Sequence, residues 1–147
     1  MKDLAVIICS YNAREYLDAC LAAAFASQGL SFDVCVADNN SPDGSADMVA
    51  AKYPQAILIR SRVNGGFSYA NNLGMRQLGI GDGRQDYRYV LLLNPDTRLE
   101  PDDLARTVAY MDASPQVGCV GVKLVRQDGS LDMACRRSFP TPRVLLY

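Results

Sequence analysis

Leu4-Ala5-Val6-Ile7-Ile8-Cys9 is an unbroken apolar run that stops at the polar triplet Ser10-Tyr11-Asn12. Apolar residues without alternation read as a strand buried on both faces, the situation of a parallel sheet covered by helices on each side. Asn12 and Glu15 stand at the spacing of a helix capping box. Leu17, Cys20, Leu21, Ala24 and Phe25 then recur at helical intervals, and Gly29 stops the helix. A buried strand feeding directly into an amphipathic helix is the first half of a βαβ unit.

The same alternation continues outward from this stretch. Phe32 to Ala37 predicts a second strand ending at Asp38, and Ser41-Pro42-Asp43-Gly44 predicts a turn. Ala46, Val49, Ala50 and Tyr53 give one face of a short helix closed by Pro54, and Ala56 to Ile59 gives a third strand. A third helix is expected over Ser68 to Leu78, then a loop over Gly79 to Asp86. Tyr89 to Leu93 is the most apolar strand and is therefore expected in mid-sheet. Pro101 suits the first turn of a helix carrying Leu104, Val108 and Met111. Val117 to Val125 predicts one more strand, and Asp128-Gly129 signals a hairpin into Leu131 to Cys135. The whole reads as α/β: a mainly parallel, doubly wound sheet ending in a β-hairpin, forming a single domain over residues 1–147. Val144-Leu145-Leu146-Tyr147 is an apolar run without a polar tail, so the parent chain is expected to continue.

Composition narrows the chemistry. The chain has 147 residues, 49% of them hydrophobic and 21% charged, with a net charge of −1. That is the balance of a globular domain with a core of its own, and it offers no general attraction for nucleic acid. With no histidine, imidazole metal sites, Ser-His triads and imidazole acid–base chemistry are excluded. The five cysteines show no Cys-x-x-Cys spacing and sit mostly among apolar residues, as core residues in a reducing compartment do. No secretory signal and no apolar stretch of membrane-spanning length is visible, so a cytoplasmic location is expected.

In open α/β sheets ligands bind outside the carboxyl ends of the strands. Those ends carry Ser10-Tyr11-Asn12, Asp38-Asn39-Asn40, Asn64-Gly65-Gly66-Phe67 and Asn94-Pro95-Asp96-Thr97. Asp38 has two readings, a turn former ahead of Ser41-Pro42 or an acceptor for a base imide or ribose hydroxyl. Asp96 is either a cap ahead of Pro101 or a hard oxygen ligand for Mg²⁺ or Mn²⁺ beside phosphate oxygens. Asn64-Gly65-Gly66 is either a plain loop or a place where a ligand approaches the backbone closely. Gly79-Ile80-Gly81-Asp82-Gly83 follows a helix and opens none, so it reads as a surface loop rather than a phosphate cradle.

Taken in order, several segments resemble the family 2 glycosyltransferases, whose catalytic domain has the GT-A fold. They are Ile7 to Asn12, Val36 to Ser45, Asn64 to Phe67 with Ala70 to Gly74, and Leu92 to Thr97. Val117 to Gly121, Asp128-Gly129-Ser130 and Arg136 to Pro140 complete the set. The asparagine-proline-aspartate form of the fourth strand end is similar to a subgroup that includes rhamnosyltransferases of bacterial surface polysaccharides. Many relatives carry Asp-x-Asp there, so Asn94 takes the place of the first acid and Asp96 keeps the second.

The resemblance implies inverting transfer of a sugar from a UDP- or dTDP-linked donor to a carbohydrate or lipid-linked acceptor. It leaves room for peripheral membrane association of the parent protein. Ser10 and Tyr11 would line the base pocket, Asp38 would bond the base or ribose, and Asn71 and Asn72 would lie near the ribose or diphosphate. Asp96 would hold a divalent cation, Mg²⁺ or Mn²⁺. Asn12, Asn64, Gly66 and Asn94 complete the candidate nucleotide-binding set. The family's catalytic base lies beyond this stretch, and neither Asp128 nor Asp132 matches its motif. The rival reading is a non-catalytic nucleotide-binding fragment or scaffold. A Rossmann dehydrogenase is excluded by the lack of a glycine fingerprint after the first strand.

Overall fold

The computed structural model describes residues 1–126 and 128–135. The chain divides into two compact units, Met1–Ala109 and Tyr110–Tyr147. The expected continuations over Arg136 to Pro140 and Val144 to Tyr147 lie outside the described residues.

The first unit holds β1 (Lys2–Ser10), α1 (Arg14–Phe25), β2 (Phe32–Asp38), α2 (Ser45–Lys52), β3 (Ile57–Arg60), α3 (Gly66–Gln77), β4 (Tyr87–Leu93) and the start of α4 (Asp103–Ala113). The four strands form one sheet in the order β3-β2-β1-β4, and each neighbouring pair is parallel. The chain steps from β1 through β2 to β3, then crosses back to place β4 on the other side of β1. The winding therefore reverses between β1 and β4, which makes their carboxyl ends a topological switch point.

The unbroken apolar run of β1 is explained by its two covered faces. Leu4, Val6 and Ile8 join Val34 and Val36 of β2 in a core closed by Leu17, Cys20 and Leu21 of α1, Met48 and Val49 of α2, and Leu104 and Val108 of α4. Ala5, Ile7 and Cys35 face the other way, against Leu78 and Met75 at the end of α3. Gly74 lets α3 approach closely: a Cβ there would stand 2.5 Å from Cγ2 of Ile7.

Three expectations are corrected. The Asn12/Glu15 capping box is not formed. Asn12 takes a left-handed conformation (φ 51), the helix starts at Arg14 after Ala13, and no side chain of its own caps it. The Arg14 amide instead donates to Asp43 Oδ2, 3.0 Å away in the loop after β2. Long-range capping of this kind leaves no local sequence signature.

β4 is not in mid-sheet among the described residues but at its edge, beside β1. Its burial alternates: Leu93 is buried and Tyr89 and Leu91 are half-buried, while Val90 and Leu92 are 42% and 45% exposed. Apolarity measured how much this strand can bury, which does not fix its rank in the sheet.

The third correction concerns the second unit, where Val117 to Leu124 forms no strand. The expected hairpin is reduced to one antiparallel bridge, Val125 to Leu131, around a turn at Gly129 (φ 81). A 3₁₀ turn, Met133–Cys135, occupies the place of the second strand. A strand needs a hydrogen-bonded neighbour as well as β-forming residues, and among the described residues this segment has a bridge partner only at Val125.

Candidate functional site

Ser10 closes β1 and Asp38 closes β2, and the parallel register pairs them directly. Both are buried, at 0% and 3% exposure. Asp38 Oδ2 accepts a 3.0 Å bond from the Ser41 amide, so the turn reading of this aspartate is correct for one of its two oxygens. Its Oδ1 has no partner, nor does Ser10 Oγ. The third such atom among the described residues is Oδ1 of Asn71, whose Nδ2 donates to the Phe67 carbonyl one turn earlier in α3 at 2.9 Å. Leaving a buried polar atom unpaired costs about 1–3 kcal/mol, and native structures leave few. All three atoms belong to residues that the sequence marks for ligand contact. Each offers capacity that a polar ligand would fill.

The loop after β2 is the frame around this pair. Asn12 N donates to Ser41 Oγ at 3.1 Å, which ties the β1–α1 loop to the residues following Asp38. Asp43 Oδ1 accepts from the Ser45 amide at 2.9 Å and from Ser45 Oγ at 2.6 Å, while Oδ2 serves Arg14. One carboxylate thus caps both α1 and α2. Burial raises the Asp43 pKa, but the hydrogen bonds from Ser45 and Arg14 outweigh it and hold the carboxyl below its usual range.

A link of the same kind runs to α3. Asn39 is 2% exposed; its Oδ1 accepts from the Gly65 amide and its Nδ2 donates to the Gly66 carbonyl, both at 3.1 Å. The Asn64-Gly65-Gly66 turn is therefore anchored to the end of β2. Asn64 caps it locally through a 3.0 Å bond from Gly66 N, and Gly66 sits at φ 82, where a side chain would be strained. Asn39, Ser41 and Asp43 were absent from the candidate set. Their signal was the density of Asn, Ser and Asp between Asp38 and Ser45, residue types that bond back to the backbone.

The remaining candidates are more open. Tyr11, Asn12, Asn64, Gly66 and Asn72 are exposed. Asn94 and Asp96, after β4, are exposed too. Their turn is held by the Asn94 carbonyl, which accepts from Thr97 N at 3.2 Å and from Cys20 Sγ of α1 at 3.6 Å. Burial, reinforced by the negative charge of Asp96, pushes the Cys20 thiol up to about 11. Cys20 therefore stays a protonated core residue beneath the turn. Cys9 is likewise raised, by burial first and by Asp38 second.

Among the described residues no cluster of three acidic or sulfur ligands gathers. A divalent cation fits here only in the manner of Mg²⁺ or Mn²⁺ held by one carboxylate and completed by phosphate oxygens and water. Asp96 has the chemistry for that role, and its exposure leaves its oxygens accessible. Bonds from the hydroxyl and amide of Ser130 hold the Asp128 carboxyl below its usual range. No helix among the described residues is long and apolar enough to cross a membrane.

The sequence profile of Glycosyl transferase family 2 matches residues 5–144. The N-acetylglucosaminyl-diphospho-decaprenol L-rhamnosyltransferase of Mycobacterium tuberculosis is 27% identical over 91% of this chain and 45% of its own length. The succinoglycan biosynthesis protein ExoO of Rhizobium meliloti is 30% identical over 88% of the chain and 36% of its own. The chain thus spans less than half the length of these relatives. Among solved structures, a mannosyltransferase of Pyrobaculum calidifontis in complex with GDP-mannose and Mn²⁺ is similar with a TM-score of 0.66 at 24% identity, over 82% of this chain and 36% of that one. TarS of S. aureus in complex with UDP-GlcNAc follows at 0.62 and 22%, over 76% and 31%. The parallel sheet with helices on both faces is the architecture that these structures share.

Proposed function

Since the chain belongs to glycosyl transferase family 2, we propose that the carboxyl edge of its sheet binds a nucleoside-diphosphate sugar for transfer to a polysaccharide-type acceptor. The observation that carries this reading is the set of buried, unpartnered atoms Ser10 Oγ, Asp38 Oδ1 and Asn71 Oδ1. Asp38 has one oxygen engaged by Ser41 and one free. A free carboxylate oxygen beside a hydroxyl suits a uracil or thymine edge, where an imide N–H donor is flanked by carbonyl acceptors.

The Asn94-Pro95-Asp96 turn lies at the end of β4, on the far side of β1 from Asp38. In this reading it meets the diphosphate, with Asp96 holding Mg²⁺ or Mn²⁺. When bound, the cation would stabilise charge on the departing diphosphate. Tyr11 and Asn12 flank the base, Asn64 and Gly66 offer backbone and amide contacts, and Asn71 and Asn72 face the ribose or diphosphate. The acceptor hydroxyl, deprotonated by a carboxylate outside the described residues, forms its bond to the anomeric carbon on the face opposite the diphosphate as the bond to the diphosphate breaks, so the sugar transfers with inversion.

A rhamnosyl donor and a lipid-linked or carbohydrate acceptor are the finer reading, supported by the mycobacterial relative. The five free cysteines suit a reducing compartment, and we place the reaction in the cytoplasm.

A thermal-shift panel of UDP, dTDP, GDP and ADP, each with and without Mn²⁺, tests the donor site. Ligand at 100 times its Kd stabilises by about 2.7 kcal/mol, several degrees for a chain of this size. A rise with UDP or dTDP is expected. Absence of any shift across the panel at millimolar nucleotide overturns the reading.

A further inference from the structure

We propose that Asn39 is a positioning residue for the nucleotide site, a carboxamide clamp that sets the head of α3 against the end of β2. The proposal rests on the donor-site reading above and deepens it. Asn39 follows Asp38 directly, so one dipeptide carries both the free acceptor oxygen and the clamp.

The clamp's geometry is specific to a carboxamide. Oδ1 receives the Gly65 amide and Nδ2 reaches the Gly66 carbonyl, each at 3.1 Å. Of the natural side chains of this length, only asparagine offers an acceptor and a neutral donor together. Aspartate would set a carboxylate oxygen against the Gly66 carbonyl, and serine would not span the distance.

The turn it holds has little else to fix it to the sheet. Gly66 N bonds to Asn64, and Ser61 Oγ both donates to the Val63 carbonyl and accepts from the Val63 amide. Those bonds stay within the loop. Among the described residues, the other hydrogen bond between this loop and the strand end is Ser61 N to the Asp38 carbonyl. Asn39 is almost wholly buried while the turn it holds is exposed.

Downstream, α3 carries Asn71, whose buried Oδ1 has no partner. Helix α3 begins at Gly66; Gly74, Met75 and Leu78 hold its later turns to the sheet, and the clamp fixes the first turn, which leads to Asn71. The clamp thereby places a ligand-facing group from α3 in fixed relation to Asp38. A nucleotide meeting Asp38 and Asn71 together binds a preorganised site and loses less in ordering it.

The test uses the full chain and two variants. Asn39→Ser shortens the side chain, and Asn39→Asp keeps its volume but removes the donor to Gly66, which guards against a folding failure of either one. Amide exchange of Gly65 reports the clamp with no ligand present. Isothermal titration with UDP or dTDP and Mn²⁺, well below the melting temperature, reports the site. Gly65 exchange is expected to accelerate and Kd to weaken roughly tenfold, about what one or two lost hydrogen bonds carry. Unchanged Gly65 exchange overturns the clamp. Faster exchange with Kd within twofold of wild type overturns its positioning role and leaves a structural one. A wild-type chain that binds no nucleotide overturns the donor-site reading instead, and the Gly65 result then still decides whether the clamp exists.

Discussion

The two ends of the switch point are built differently. On the β1–β2 side, Ser10, Asp38 and Asn39 are buried; Asn12 donates to Ser41 and Ser41 to Asp38, while Arg14 and Ser45 donate to Asp43, so strand ends and helix starts are tied together. On the β4 side, Asn94 and Asp96 are exposed, Val90 and Leu92 of the strand are open, and the turn is held by its own Asn94 carbonyl and by Cys20. The buried side has fixed directions and unpaired atoms, which suits the reading of a base and ribose with defined hydrogen-bonding edges. The open side has an accessible carboxylate, which suits a diphosphate and cation whose ligand shell is partly supplied by the donor itself. Selectivity should therefore reside in the first region and charge stabilisation in the second.

Core substitutions give the largest break in that comparison. Ile8 is fully buried and Leu92 is 45% exposed, although both are apolar residues of adjacent parallel strands. Ile8→Ala is expected to cost about 2–5 kcal/mol through lost burial and a cavity. Leu92→Ala should cost about 1 kcal/mol or less. Urea unfolding of both variants measures the difference, and equal losses would mean that β4 is as enclosed as β1.

The next effect is on binding. Asp38→Asn keeps an acceptor for Ser41 and replaces the free carboxylate oxygen by a neutral group. A hydrogen bond to a charged partner is worth about 1.5–3 kcal/mol, so the Kd for UDP or dTDP is expected to rise roughly tenfold to a hundredfold. Calorimetric titration gives the value, and an unchanged Kd would take Asp38 out of the site.

Much of this was legible in the sequence, for a reason that the two regions make plain. The strands β1 and β2 announce themselves because burial on both faces demands continuous apolarity, and Ser10 and Asp38 mark the point where it must end. The winding follows from strand–helix alternation. The rank of β4 was not legible, since Tyr89 to Leu93 is as apolar as a central strand while one of its faces remains open. Val117 to Val125 has β-forming residues, but pairing depends on a partner that no local pattern names. The framework residues escaped for the same reason. Asn39 bonds Gly65 and Gly66 across 26 and 27 positions, and Asp43 bonds Arg14 across 29. Sequence spacing exposes contacts between near neighbours and hides such staples.

Asp43 converts the framework into a stability measurement. Asp43→Ala removes the acceptor at two helix starts and is expected to cost about 1 kcal/mol, the scale of a lost cap. Its folded pKa is lowered, so its contribution is present above the unfolded carboxylate value near 4 and is lost as pH falls through the folded one. Asp18 and Asp33 are lowered in the same sense, and hydrogen bonds from the amide and hydroxyl of Ser31, with Arg88, draw Asp3 to about 2. Stability should therefore decline from about pH 4 downward, with a shallower acid limb in Asp43→Ala than in wild type. Parallel acid limbs in melting-temperature profiles would remove Asp43 from this account.

Asp96→Ala should have the smallest effect on the folded chain and a selective one on the ligand. The residue is exposed, and surface substitutions of this kind stay within about 0.5 kcal/mol. The melting temperature without nucleotide should therefore hardly move. The increment that Mn²⁺ adds to a UDP or dTDP shift should disappear, because Asn94 leaves Asp96 as the sole carboxylate of its turn. The metal-independent shift should survive, since Ser10, Asp38 and Asn71 are untouched. A comparison of nucleotide alone with nucleotide plus Mn²⁺, in both proteins, separates the two regions in one experiment. If the Mn²⁺ increment persists in Asp96→Ala, other groups of this chain or the phosphates themselves hold the cation, and the open end of the switch point is left with the diphosphate alone.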